Sequence, residues 1–260
     1  MSADRPRRFL PVLTFHAIDE VRSPVSTTPA SLREYLASLA AQGWQTLTID
    51  EALQGHARGG WPARAVLLTF DDGYCSVLEH AAPLVAEYGF TATVFVPSGL
   101  VGGTMRRYGA PAGTAAAPLL DWPQLKTLSA AGWTIGSHSR THAMLTALPL
   151  GEAERELMES KDTIEDRVGR PVDACAYPYG ATNRGVEAIA ARLYRASFGT
   201  RLARVTPASR LTDLERIDGY YLRQFSLATR LDTSAGTAYL AMRRLARGVL
   251  DRTGSRKYTE

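Results

Sequence analysis

The feature that most constrains this chain is a repeated switch from short apolar runs to segments of helical period. A chemically loaded cluster follows directly on three of those runs. Residues 9–16, 44–49, 65–70, 91–96, 133–137, 172–177, 195–200 and 217–222 read as strands, several of them apolar on every position, as buried strands are. Between them lie helix signals: Thr28-Pro29 ahead of Leu32, Tyr35, Leu36 and Leu39, Asp50 opening a short helix, and Asp121 with Pro123 opening another. Further helices are predicted over 76–88, 151–168 and 183–194, with Gly43, Gly89 and Gly132 as stops. Strand-then-helix repetition predicts parallel strands with helices outside. The 260 residues suffice for one α/β barrel, which takes roughly 250. The expected fold is therefore a single-domain α/β chain, and in a barrel the strand ends that carry the clusters gather on one face.

Composition narrows the function classes. Hydrophobic residues make up 45% and charged residues 22%, as in a globular chain. The net charge of +4 favours the approach of anions, but no nucleic-acid motif accompanies it, so no nucleic-acid partner is expected. Two cysteines, Cys75 and Cys175, cannot build a disulfide framework and read as reduced, buried side chains, with Cys75 close in sequence to the acidic cluster. The start of the chain has neither a convincing secretory apolar run nor a cleavage site, and no stretch is long and apolar enough to span a bilayer, so a soluble, cytoplasmic protein is expected.

The first cluster is Asp71-Asp72-Gly73 after the strand at 65–70. On its own this is ordinary turn composition. Two adjacent carboxylates at a strand end nevertheless repel unless a cation neutralises them, and neighbouring side chains point different ways. One aspartate can then ligate a metal while the other handles protons. The second cluster places His138 and His142 after a strand with three residues between them. If that stretch forms a helical turn, both imidazoles share a face. Two imidazoles and a carboxylate make an open site with room for water and substrate, and water at such a site becomes acidic enough to attack a carbonyl near neutral pH.

Thr69-Phe70-Asp71-Asp72-Gly73, Ser137-His138-Ser139-Arg140-Thr141-His142 and Tyr177-Pro178-Tyr179-Gly180 together resemble the first three motifs of the polysaccharide deacetylase domain, the NodB-homology or carbohydrate esterase family 4 domain. The resemblance spans residues 9–225, leaving 1–8 as an N-terminal tail and 226–260 as a C-terminal helical extension. It implies a distorted (β/α) barrel and a metal-dependent hydrolase that removes an N-acetyl group from an amino sugar in a glycan or glycoconjugate. It implies Asp72, His138 and His142 as ligands of a divalent metal, zinc or else nickel, cobalt or manganese. Asp71 would be the general base. Pro178 and Tyr179 would contact substrate, with the Tyr179 backbone N–H on the oxyanion.

Two departures stand out. Ala176 occupies the place of the arginine that orients the base in much of the family, with Arg216 and Arg140 as alternatives elsewhere in the chain. No histidine follows His142 to act as the general acid. His16, in Leu13-Thr14-Phe15-His16-Ala17-Ile18, resembles the opening strand of the poly-N-acetylglucosamine deacetylase branch, where an N-terminal histidine takes that part. The departures keep two alternatives open: an amidase of the same family acting on a non-acetyl or non-sugar amide, and an inactive glycan-binding domain. Three smaller expectations complete the reading. The loop at 99–118 borders the substrate cleft. Trp122 and Tyr108 either stack on a sugar or simply pack. The basic helix at 238–252 either packs on the barrel or makes peripheral contact with an anionic membrane surface.

Overall fold

The computed structural model describes residues 6–222 and 230–252, with side chains over 6–222 and 230–246. Its centre is a ring of seven parallel strands: β1 (Val12–Phe15), β2 (Ala65–Phe70), β3 (Thr93–Val96), β4 (Thr134–Ser137), β5 (Ala174–Ala176), β6 (Ala196–Leu202) and β7 (Leu214–Asp218). Each strand pairs with the next in sequence, and β1 pairs with both β2 and β7, which closes the barrel. Around it lie α1 (Pro29–Ala41), α2 (Ile49–Ala57), α3 (Ala82–Glu87), α4 (Trp122–Ala130), α5 (Leu150–Val168), α6 (Arg184–Leu193), the short α7 (Gly219–Leu222) and α8 (Ser234–Arg252). The distorted (β/α) barrel expected from the sequence is the fold observed.

Local chemistry explains where the helices start. Thr28 caps α1 by accepting from the Ser31 N–H, with Pro29 at the first helical position. Thr48 with Glu51 and Asp121 with Gln124 form reciprocal capping boxes on α2 and α4. Asn183 caps α6, and Gly169 ends α5 in the left-handed conformation.

Alternation along the strands divides the core in two. Leu13, Phe15, Val66, Leu68, Phe70, Val94, Val96, Cys175 and Ile217 face outward into one large apolar cluster with the helices. The opposite parity faces inward. Val12, Leu67, Phe95, Ala174, Ala176, Ala196, Phe198 and Leu214 fill the barrel interior, and Ile49, Ala52 and Trp61 close its lower end. The interior is narrow. A β-carbon built at Gly136 would lie 2.4 Å from the Phe95 ring, so glycine there is what lets that ring occupy the barrel axis.

Several sequence expectations shift. Residues 217–222 are not one strand: β7 ends at Asp218 and the chain turns into α7. The helix expected at 76–88 is a π-helical turn, Val77–Ala81, followed by α3. The 99–118 loop carries a small antiparallel pair, Thr104–Met105 with Ala117–Pro118. In α8, Tyr239 and Leu240 are buried in the main core while Met242 and Leu245 are exposed. The side chains of Arg247, Val249, Leu250 and Arg252 lie outside the described residues, as do residues 1–5 of the expected tail. Among the described residues no helix is long and apolar enough to cross a membrane.

Gly136→Ala forces a methyl group against Phe95 and is expected to cost about 1–3 kcal/mol, as overpacking does. Urea unfolding of the two proteins, read as a fall in the transition midpoint at constant slope, checks this.

Candidate metal and catalytic site

The inward parity that is apolar low in the barrel turns polar at the C-terminal ends of the strands. Thr14 and His16 follow from β1, Asp71 and Asp72 from β2, His138 from β4, Thr200 from β6, and Arg216 and Asp218 from β7. All line one cleft of about 490 Å³, joined by His142, Tyr177, Tyr179 and Gly180. That volume is ordinary for a small-molecule site. The topology thus brings together every site residue implied by the resemblance except Pro178, which is buried beside Tyr179.

The paired aspartates point to different partners. Asp72 has φ 70° and Gly73 φ 69°, so the chain reverses its local hand immediately after Asp71. Asp72 Oδ1 lies 3.3 Å from His138 Nε2 and 3.2 Å from His142 Nε2. Ligands of one ion at about 2.0–2.2 Å stand about 3.0–3.5 Å apart for tetrahedral or octahedral angles, so both Asp72 contacts suit a shared divalent cation, and all three candidate ligand atoms lie within 4.8 Å of one another. The one group of metal-ligating side chains found among the described residues is this triad. His138 Nδ1 donates to the Ala176 carbonyl at 2.7 Å, which leaves Nε2 as the lone-pair donor aimed at the site. Burial raises the Asp72 carboxyl, but hydrogen bonds from His138 and His142 outweigh it and pull the group well below the usual range. Burial also opposes charging of His138, yet Asp72 and Asp71 raise it on balance, so a bound cation competes with a proton there.

Asp71 faces Arg216. Nη1 and Nη2 of Arg216 each donate to one carboxylate oxygen at 2.8 Å, and Nε donates to the Gly199 carbonyl at 2.8 Å. Both side chains are almost fully buried. Burial pushes Asp71 up, but the Arg216 charge, aided by His138 and His16, brings it below the usual carboxylate range. Of the two arginines considered for the vacant family position, Arg216 is the one on Asp71. Arg140 instead reaches Glu156 and Glu159 on α5. His16 Nε2 stands 3.9 Å from Asp71 Oδ2 at the cleft wall.

The His138–His142 segment is not a helical turn, contrary to expectation. Ser139 and His142 both have positive φ, at 62° and 61°, which breaks any helix and folds the two imidazoles onto one spot with ring centroids 4.9 Å apart. Such backbone costs on the order of 1–3 kcal/mol per residue, so something must hold it. Glu156 does. It is 7% exposed and accepts from the N–H groups of Arg140 and Thr141 at 3.0 and 2.8 Å and from the Thr141 hydroxyl at 2.9 Å. Ser139 Oγ accepts from the His142 N–H. Tyr179, at φ 60°, sets its ring 4.8 Å from the His142 ring. Trp122 packs against the core beneath Arg167 and is not a cleft residue, whereas Tyr108 lines the cleft, as the loop reading expects. Cys75 is buried beside Gln124 and lines no part of it.

The polysaccharide deacetylase family profile matches residues 58–196. The chain belongs to the polysaccharide deacetylase family. The match contains Asp71, Asp72, His138, His142 and Tyr179 and leaves His16 and Arg216 outside. Bacillus subtilis (strain 168) YxkH is 27% identical over 184 residues, which are 70% of this chain and 61% of that protein. The poly-beta-1,6-N-acetyl-D-glucosamine N-deacetylase of Staphylococcus epidermidis is 26% identical over 170 residues, 61% of this chain and 55% of the relative. The chain thus spans about three fifths of the length of these relatives. Among solved structures, the Streptococcus pyogenes deacetylase PplD in complex with acetate superposes with TM-score 0.72 at 28% identity, covering 82% of this chain and 93% of that one. IcaB from Ammonifex degensii shares the fold with TM-score 0.73 at 23% identity, over 86% and 99% of the two chains.

Two contributors escape a reading of motifs alone. Glu156 carries a signal, since it falls in phase with the buried stripe Ala153, Leu157, Ser160 and Ile164 of α5, where a charge needs a partner. Tyr74, two residues after Asp72, is buried at the edge of the site, where burial and the Asp72 charge hold its hydroxyl protonated, and its only sequence signal is that adjacency.

Two outcomes are expected from this geometry. Arg216→Ala leaves Asp71 buried without its counter-charge and lowers stability by about 3–5 kcal/mol, while adding Asp71→Asn restores much of the loss, read by a denaturation double-mutant cycle. Glu156→Ala weakens zinc binding by about 10–100-fold in calorimetric titration, because it releases the loop that sets both histidines.

Proposed function

We propose that this chain is a metal-dependent deacetylase that hydrolyses the N-acetyl group of an amino sugar in a glycan or glycoconjugate. The observation that carries the reading is the convergence, on one cleft floor, of the Asp72–His138–His142 triad with an Arg216-held Asp71. Family membership supports it, as do relatives named as poly-beta-1,6-N-acetyl-D-glucosamine N-deacetylases.

Asp72, His138 and His142 would hold the divalent cation, with zinc the first candidate given two imidazoles and one carboxylate. Bound there, it supplies Lewis-acid polarisation and makes water acidic near neutral pH. The chain's own groups do the rest. Asp71 is kept ionised by Arg216 and stands ready to take a proton from the attacking water, while the two parallel hydrogen bonds fix which way its oxygens point. As the water oxygen bonds to the acetyl carbon, negative charge grows on the former carbonyl oxygen, where the Tyr179 backbone N–H is the proposed donor. A preorganised donor of this kind contributes about 3–4 kcal/mol. Tyr179 is held for that duty by its unusual φ and by Gly180, where a β-carbon would strike Thr200. The C–N bond then breaks, and His16 gives a proton to the departing nitrogen. Acetate and a free amine leave.

This arrangement weighs against an inactive glycan-binding domain. The arginine absent at Ala176 has a counterpart in Arg216, and the absent C-terminal histidine has one in His16. Glycan binding alone requires neither a buried base nor its positioning cation.

Acetate released from N-acetylglucosamine oligomers with added zinc, and abolished by a chelator, tests the reading; no release with any divalent metal would overturn it. His16→Ala and Asp71→Asn are each expected to lower kcat about 10²–10⁴-fold with metal content near normal, the range for a lost acid or base. His138→Ala instead loses the metal, measured by elemental analysis.

A further inference from the structure

The cleft is walled on one side by elements beyond the 58–196 match: α7 contributes Tyr220 and Tyr221, and α8 contributes Arg243. The Arg243 guanidinium lies over the Tyr221 ring, 5.3 Å from its centroid, and the side chain is half-buried. A cation–π contact of this kind restrains the guanidinium without using its hydrogen-bond donors.

The other charges around the cleft are answered. Arg216 is spent on Asp71 and the Gly199 carbonyl. His138 and His142 converge on Asp72. Asp218 accepts from the Tyr220 N–H. Among the described residues no carboxylate lies within ion-pair distance of Arg243; about half of the described arginines share that, but Arg243 is the one of them that lines the cleft. A cation placed over an aromatic ring in a cleft wall, with no carboxylate partner among the described residues, is a ready site for a planar or tetrahedral oxyanion. The net charge of +4 acts in the same direction at longer range.

We infer that Arg243 is a specificity-determining residue: the substrate carries an anionic group, a carboxylate or a phosphate ester, on the acetylated sugar or its neighbour, and Arg243 binds it. This rests on the deacetylase reading and narrows it from any N-acetylated glycan to an acidic one. Arg243 touches substrate away from the reacting carbonyl, so its contribution falls on KM more than on kcat. A bidentate guanidinium contact is directional, and a lysine in its place supplies only a point charge.

The test uses the whole chain loaded with zinc and three probes: the methyl glycoside of N-acetylglucosamine, N-acetylglucosamine 1-phosphate, and a disaccharide of glucuronate and N-acetylglucosamine. Binding is followed by calorimetry and turnover by acetate release. The wild type is expected to favour at least one anionic probe by tenfold or more in kcat/KM, carried by KM. Arg243→Met, which keeps the stem over Tyr221, should remove most of that advantage while changing the neutral probe by less than threefold, and Arg243→Lys should fall between. The better of the two anionic probes identifies phosphate or carboxylate. Equal kcat/KM on neutral and anionic probes in the wild type, or an equal loss on all three in Arg243→Met, overturns the inference and leaves deacetylation standing. Arg243-dependent binding of an anionic probe with no acetate released from any of them upholds the anion site and overturns the deacetylase reading.

Discussion

The buried pair Asp71–Arg216 is the interaction on which the cleft depends. An ionised carboxylate this deep is tolerated only with a matched counter-charge, and the match comes from across the barrel seam. Asp71 ends β2, Arg216 lies on β7, and β1 pairs with both strands. The two side chains can meet only if the ring closes in that register, because a one-residue slip would turn Arg216 outward and bring Glu215 or Ile217 to the interior. Barrel closure and the ionisation state of the proposed base are therefore one constraint. The pair is weak evidence for stability as such. Its value is that it fixes a charge and an orientation at one spot.

Strain gathers at the same spot. Five non-glycine residues among those described have positive φ; three of them, Asp72, His142 and Tyr179, line the cleft, and Ser139 lies in the loop between its two histidines. Each spends stability to aim a side chain or an N–H where regular strand or helix geometry would not send it. The supports are specific: Glu156 and Ser139 Oγ for the histidine loop, Gly73 beside Asp72, and Gly180 after Tyr179. Strain with dedicated supports of this kind marks a preorganised site, and a surface turn would have relaxed it.

The barrel was legible in the sequence because its strands are apolar runs followed by capped helices, and both signals are local. The convergence of Asp72, His138 and His142 was legible because position after a strand is a local signal too, although the helical turn assumed for 138–142 was replaced by a loop with two left-handed residues. Periodicity could not show that, since the determinant is Glu156, fourteen residues beyond His142 and on another element. Arg216 was visible only as one of two alternatives. Choosing between it and Arg140 requires knowing that β7 lies beside β1 and that α5 presents Glu156 and Glu159. Arg216 in phase with Leu214 on a short strand was the usable hint, and the boundary error that began this strand at Ile217 hid it.

The division between matched and unmatched sequence has a chemical meaning. Residues 58–196 hold the candidate metal-ligating set, the proposed base and the proposed oxyanion donor, all groups that would act on any acetamide. The flanks hold His16, Arg216, Tyr220, Tyr221 and Arg243. Two of these would complete the proton handling from positions other than those the wider family uses, and the remainder line one wall of the cleft. An amide group is the same on every N-acetylated sugar, so discrimination among substrates has to come from contacts to the rest of the molecule. A wall built from the parts of the chain that lie outside the shared segment is where such contacts can differ from one relative to another without disturbing the chemistry at the floor.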